Sequence, residues 1–152
     1  MINNSIYEDI RYDLIKFMSL FHRLFSPTFK KETNDKYSCN KNQVKTIMII
    51  GRAEKVTPTI LGKCMDMEKG SLTSLIDSME KMGLVYRVND EKDRRKTWIY
   101  LTDEGEKYYI NQEKKFMARI KEVFGTLSEK DVKEFNDSLK TIVTILDKMR
   151  GE

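Results

Sequence analysis

The amino-acid sequence predicts a mainly α-helical chain interrupted once by a small β-hairpin. Three observations carry that expectation. Apolar residues recur at three- and four-residue steps through much of the 152 residues, the period of helices that bury one face. At Leu84 this period gives way to two short runs rich in β-branched and aromatic residues, Leu84–Val88 and Thr97–Leu101, the composition of strands. Between them lie eight residues, Asn89–Lys96, seven of them charged. Such a segment suits the solvated tip of a hairpin.

Each helix has its own signals. The first is expected over residues 6–25, where Ile6, Ile10, Leu14, Phe17, Met18, Phe21, Leu24 and Phe25 make one broad apolar stripe. Ser26-Pro27 closes it, because a residue before proline avoids helical backbone angles. Lys30 to Cys39 is polar and reads as a loop. A second helix follows from Asn40 to Arg52, with Val44, Ile47 and Met48 inward. Thr57 then has the side chain of an N-cap, and Pro58 suits a first helical position, where an N–H is not needed. That helix is short and ends near Asp66. The next spans residues 69–82 with Leu72, Leu75, Ile76, Met79 and Met82 on one face, and Gly83 ends it. Thr102 caps a long helix beginning at Asp103. Ser128 caps the last, with Asp131 three residues on in a capping-box arrangement. In that final helix Val132, Phe135, Leu139, Ile142, Leu146 and Met149 form a coiled-coil-like seam.

Composition excludes several classes of function. The longest wholly apolar run is Ile47–Ile50, against about 20 residues for a membrane span. The N-terminus has no basic start followed by an apolar stretch, so a cytoplasmic protein is expected. Two cysteines, Cys39 and Cys64, and a single histidine, His22, cannot build a zinc site within one chain. No metal and no cofactor is expected, and the cysteines read as reduced thiols with Cys64 partly buried. No nucleophile–base set or phosphate-binding glycine loop occurs, so an enzyme is not expected. Net charge is +4, divided as +4 over residues 1–56, +1 over 57–101 and −1 over 102–152. That balance permits nucleic-acid binding without requiring it.

A short helix, a tight turn, a second helix and a charged hairpin, in this order, make a winged helix-turn-helix. The second helix fits the major groove of double-stranded DNA while the first braces it. The hairpin, or wing, reaches toward the neighbouring minor groove, where negative potential attracts arginine. Four pieces of the sequence resemble the MarR family of bacterial regulators: Asp66-Met67-Glu68-Lys69-Gly70-Ser71-Leu72-Thr73, Met82-Gly83-Leu84-Val85, Asp93-Arg94-Arg95 and Leu101-Thr102-Asp103-Glu104-Gly105. The resemblance covers residues 57–105.

The resemblance implies a homodimer and, in many relatives, repression that a small-molecule effector relieves. Residues 1–39 and 103–152 would be the helical dimerisation region, and residues 40–102 the DNA-binding region. It also implies an aspartate, here Asp93, that poses the wing arginine, here Arg95, for the minor groove. Beside that pair, the candidate DNA contacts are Thr57, Lys63, Lys69, Ser71, Thr73, Ser74, Arg87 and Arg94. The recognition helix departs from the commoner pattern of the family. It has Ser74 and Ser78 where many relatives carry arginine, and it adds the acids Asp77 and Glu80. Hydroxyls read base edges less specifically than a bidentate arginine, so shape readout by the wing gains weight. His22, Arg23 and Arg52 are assigned solvated or ion-paired roles, and Tyr108 and Tyr109 packing roles; no ligand-binding residues are assigned. The alternative is a winged helix that contacts proteins and never DNA. The weakly basic recognition helix favours it, and the Asp93-Arg94-Arg95 wing opposes it.

Overall fold

The computed structural model describes residues 3–25 and 36–149. The expected helix stop at Ser26-Pro27 and most of the Lys30–Cys39 loop lie outside the described residues. Among the described residues six helices and one hairpin follow in order: α1 (Asn4–Phe25), α2 (Lys41–Ala53), α3 (Pro58–Met65), α4 (Lys69–Lys81), β1 (Val85–Asn89), β2 (Thr97–Leu101), α5 (Asp103–Phe124) and α6 (Glu129–Met149). The chain divides into two compact units, one reaching to Phe116 and one beginning at Met117. Among the described residues no helix is long and apolar enough to cross a membrane.

In the first unit the caps set the helix starts. Asn40 accepts the backbone N–H of Gln43 at 3.0 Å, and the Gln43 amide oxygen accepts that of Asn40 at 2.8 Å. This reciprocal capping box begins α2. Thr57 Oγ1 accepts the N–H of Ile60 at 3.3 Å, with Pro58 in the first turn of α3. Asp66 ends α3 in the left-handed region, φ 51°, a conformation that aspartate tolerates better than most side chains. Gly83, at φ 72°, turns the chain from α4 into the hairpin at no steric cost.

The strands pair antiparallel with Val85 opposite Leu101 and Asn89 opposite Thr97. The predicted first strand is thus displaced by one residue, because the Leu84 N–H is taken by the Met79 carbonyl at 3.0 Å in the helix-ending turn. Val56 adds a bridge to Ile99, with N–H···O distances of 3.1 and 2.8 Å. Ile47, Ile50, Leu61, Met79, Leu84 and Ile99 are fully buried where α2, α3, α4 and the hairpin meet. Cys39, expected in a loop, is also buried in this core, while Cys64 is half-buried.

Four segments lock together at the foot of the hairpin. Thr102 Oγ1 donates to the Gly83 carbonyl at 2.5 Å and accepts the Gly105 N–H at 3.0 Å. The Thr102 N–H bonds the Leu84 carbonyl at 3.1 Å. A Cβ at Gly105 would collide with that same carbonyl oxygen, so only glycine lets the first turn of α5 approach so closely. The two sequence pieces Met82–Val85 and Leu101–Gly105 are therefore one structural joint.

The terminal helices differ from this core. On α1 only Phe25 is buried, against Phe116 at a ring distance of 6.2 Å. Ile6, Ile10, Leu14, Phe17, Met18 and Phe21 are exposed. In the second unit Phe124 packs on Phe135 at 4.8 Å, yet α6 has no buried residue.

Candidate nucleic-acid interface

The winged helix brings four of the sequence-predicted residues, Lys63, Lys69, Thr73 and Arg87, to a groove of about 790 Å³ between α3, α4 and the base of the hairpin, while Thr57, Ser71, Ser74, Asp93, Arg94 and Arg95 are not part of its lining. Lys63, Lys69, Thr73, Arg87 and Thr97 line it, with Asp66 and Glu68 at the turn. Lys63, Lys69, Ser71, Thr73 and Ser74 are exposed. Two of the hydroxyls are engaged within α4: Thr73 Oγ1 donates to the Lys69 carbonyl at 2.8 Å, and Ser74 Oγ to that of Gly70 at 3.2 Å. Their lone pairs can still accept from a base edge, but donation to one requires breaking these bonds. Thr57 is buried as the cap of α3.

The recognition helix is held from behind. Gln43 of α2 donates its side-chain amide to Ser78 Oγ at 3.0 Å and to Met82 Sδ at 3.5 Å. Ser78 therefore supports α4 from the α2 side. No signal in the sequence pointed to this link, which joins residues 35 positions apart.

The wing tip is ordered by an aspartate that sequence reasoning did not single out. Asp90 Oδ1 accepts the backbone N–H groups of Lys92 and Asp93 at 2.9 and 3.0 Å, and Oδ2 accepts the Trp98 indole N–H at 2.8 Å. The Trp98 bond, then the two backbone bonds, hold the Asp90 carboxyl below the usual range. Aspartate at a hairpin corner was the available signal, since it bonds backbone amides two residues on. Two ammonium groups lie over the Trp98 ring, Lys55 at 4.5 Å and Lys96 at 4.4 Å from its centre.

Asp93 and Arg95 are also brought together. Asp93 Oδ1 accepts the Arg95 backbone N–H at 3.1 Å, and the guanidinium Nε lies 3.6 Å from the same oxygen. The carboxylate thus fixes the backbone of Arg95 more firmly than its head group. The Arg95 side chain is 96% exposed, and Arg94 is exposed beside it. Arg87 is the opposite case. Its side chain is 28% exposed, and its guanidinium pairs with Glu80 through Nη1 and with Asp77 through Nη2 at 2.6 Å. Its backbone N–H also bonds Glu80 Oε1 at 3.1 Å. The structure therefore turns this candidate toward α4.

At the start of α5, Glu104 accepts from the Tyr37 hydroxyl at 2.7 Å and from Lys107 at 2.9 Å, with Lys36 at 3.6 Å. The Tyr37 hydrogen bond first, then Lys107 and Lys36, lower its carboxyl to about 2. Tyr108 is buried edge-on to Tyr37, and the Tyr109 ring covers Gly51, which gives both tyrosines the packing roles expected of them. Among the described residues no cluster of histidine, cysteine or carboxylate side chains could hold a metal.

Known proteins share this architecture. Residues 39–97 match the model of the MarR family. The HTH-type transcriptional regulator SarZ of Staphylococcus aureus is 29% identical over 134 residues, covering 87% of this chain and 82% of its own. The structure of Streptococcus pneumoniae FabT in complex with DNA superposes with a TM-score of 0.75 at 22% identity, over 94% of this chain and 99% of that one. A mutant MarR from E. coli complexed with operator DNA gives 0.62 at 22% identity, over 86% and 95%. NadR in complex with 4-hydroxyphenylacetate gives 0.65 at 22% identity, over 88% and 91%. The matched segment contains α2, α3, α4, β1 and the wing tip, most of the elements that border the groove, and over those residues the chain is similar to the MarR family.

Proposed function

We propose that this chain is a transcriptional regulator that binds double-stranded DNA as a homodimer, acting in the cytoplasm without catalysing a reaction. The observation that carries the reading is the juxtaposition of an exposed recognition-helix face with a wing whose tip presents Arg94 and Arg95. α4 has the dimensions to enter a major groove, and the wing reaches the adjacent minor groove. Lys63 and Lys69, at the ends of α3 and α4, are placed for phosphate contacts that fix register without reading sequence.

The bare apolar faces of α1 and α6 support a dimer, since exposed apolar stripes of this length are characteristic of interfaces. Residues 1–39 and 103–152 would then form the dimerisation region around the two winged helices. Two-fold symmetry would require half-sites about 34–36 Å apart, one turn of the duplex. Repression relieved by a small molecule is the mode of regulation we assign, supported by the shared fold of NadR with its aromatic acid.

The test is selection of duplexes from a random pool by the purified chain, followed by gel shift on the enriched sequence. An inverted repeat should emerge. Inserting five base pairs, about half a turn, between its halves should abolish binding. Failure to enrich any duplex would overturn the reading.

A further inference from the structure

The stripe of α4 that borders the groove changes character along its length. Lys69, Thr73, Asp77 and Glu80 follow one another at steps of four, four and three residues, so they lie on one side of the helix. Lys69 and Thr73 line the groove, and so does Arg87. The two acids continue the same side, where a phosphate backbone running past α4 would meet them. Two carboxylates there oppose DNA. Both face a single guanidinium, from β1.

We infer that Arg87 is a positioning residue that masks the acids of the recognition helix, and that it promotes DNA binding without contacting phosphate. The inference rests on the DNA-binding reading above. The geometry favours masking over contact. Glu80 takes Arg87 with both oxygens, one on the guanidinium and one on the backbone N–H, and Asp77 takes the second guanidinium nitrogen. A planar guanidinium engaged by two carboxylates, with its side chain mostly buried, is poorly placed to reach a phosphate as well. The same bonds anchor the first residues of the wing to α4. Wing and recognition helix are joined through the acids that would otherwise repel DNA.

A mutant cycle separates three roles for Arg87, using affinity for the duplex enriched by the native chain at one fixed salt concentration. Arg87→Gln alone should weaken binding about tenfold by unmasking like charge. Asp77→Asn with Glu80→Gln should bind at least as tightly as the native chain. Adding Arg87→Gln to that pair should cost little, so the triple variant regains affinity over Arg87→Gln alone. A direct phosphate contact would instead make the Arg87→Gln loss equal in both backgrounds, and the salt slope would fall by about one. A purely mechanical clamp would make the paired acid variant as weak as Arg87→Gln, without recovery in the triple. Either result overturns the inference while leaving the DNA reading intact. Arg87→Lys, which keeps the charge, should bind within a few-fold of native, and circular dichroism checks that each variant is folded. If the native chain enriches no duplex, the DNA-binding premise itself fails.

Discussion

The winged helix and the terminal helices use apolar residues in opposite ways. Between Cys39 and Tyr108 the apolar side chains of α2, α3, α4 and the hairpin close on one another, and several have no exposure at all. Along α1 and α6 the apolar residues are as numerous and almost all exposed. Leu139, Ile142 and Leu146 are 38%, 46% and 51% accessible, far above what a satisfied core allows. The first region needs nothing beyond its own chain. The second has surface that gains only by meeting another protein surface, and a second copy is the partner we propose.

The strongest way to break that contrast is in α6. Leu139→Asp with Ile142→Asp should abolish assembly, giving unfolded or aggregated chain, or a monomer, in place of a species near twice 18.0 kDa by light scattering. A native chain that is monomeric and stable at micromolar concentration would remove the distinction, since the exposed faces would then need no partner. The reciprocal substitution is Leu61→Ala in the closed core, where the side chain has no exposure. It should cost about 2–5 kcal/mol of stability, measured by urea unfolding, and leave the assembled mass of the surviving folded protein unchanged.

Two smaller effects sharpen the contrast within the winged helix, between its buried joints and its exposed tip. Arg95→Ala should leave stability unaltered and weaken operator binding by about 1–3 kcal/mol. Asp93→Ala should be milder, and the two losses should not add, because the side chains act as one unit. Equal affinity of native and Arg95→Ala protein would reduce the tip to a solvated turn. The smallest effect concerns Asp90. Its carboxyl is held low in the folded wing, so the deprotonated form is the one that orders the tip. That contribution is complete above the ordinary aspartate value of 3.8. It fades as pH drops below that value and is lost once the depressed folded value is passed. Trp98 is the only tryptophan, so its fluorescence reports this titration, and Asp90→Asn should flatten it.

The element order was legible because its signals are local. Thr57, Pro58, Gly83, Thr102 and Ser128 mark boundaries through their own side chains or backbone angles, and the helices and strands fall within about two residues of expectation. Partnerships across elements were not legible. Arg87 looks like a wing cation in sequence, and its pairing with Asp77 and Glu80 depends on how β1 lies against α4. The Trp98–Asp90 bond likewise requires the hairpin register. Thr73 and Ser74 are a local case, in which either a base contact or a bond within the helix was open from the sequence, and the carbonyls four residues earlier take both hydroxyls. The Asp93–Arg95 pairing was expected, but as a head-group contact; the backbone bond is the tighter one.

The missing side chain at Gly105 has a mechanical consequence. α5 rises directly over the Leu84 carbonyl and, within the first unit, runs from Asp103 to Phe116, a rod of roughly 21 Å at the rise of an α-helix. A methyl group at position 105 would work as a shim beneath one end of that rod. The wedge would be small, but a stiff helix turns a small tilt at its base into a displacement that grows with distance. Within that unit the fit at one glycine is thus a setting of angle, and an error of an ångström at the base of α5 would be magnified toward Phe116.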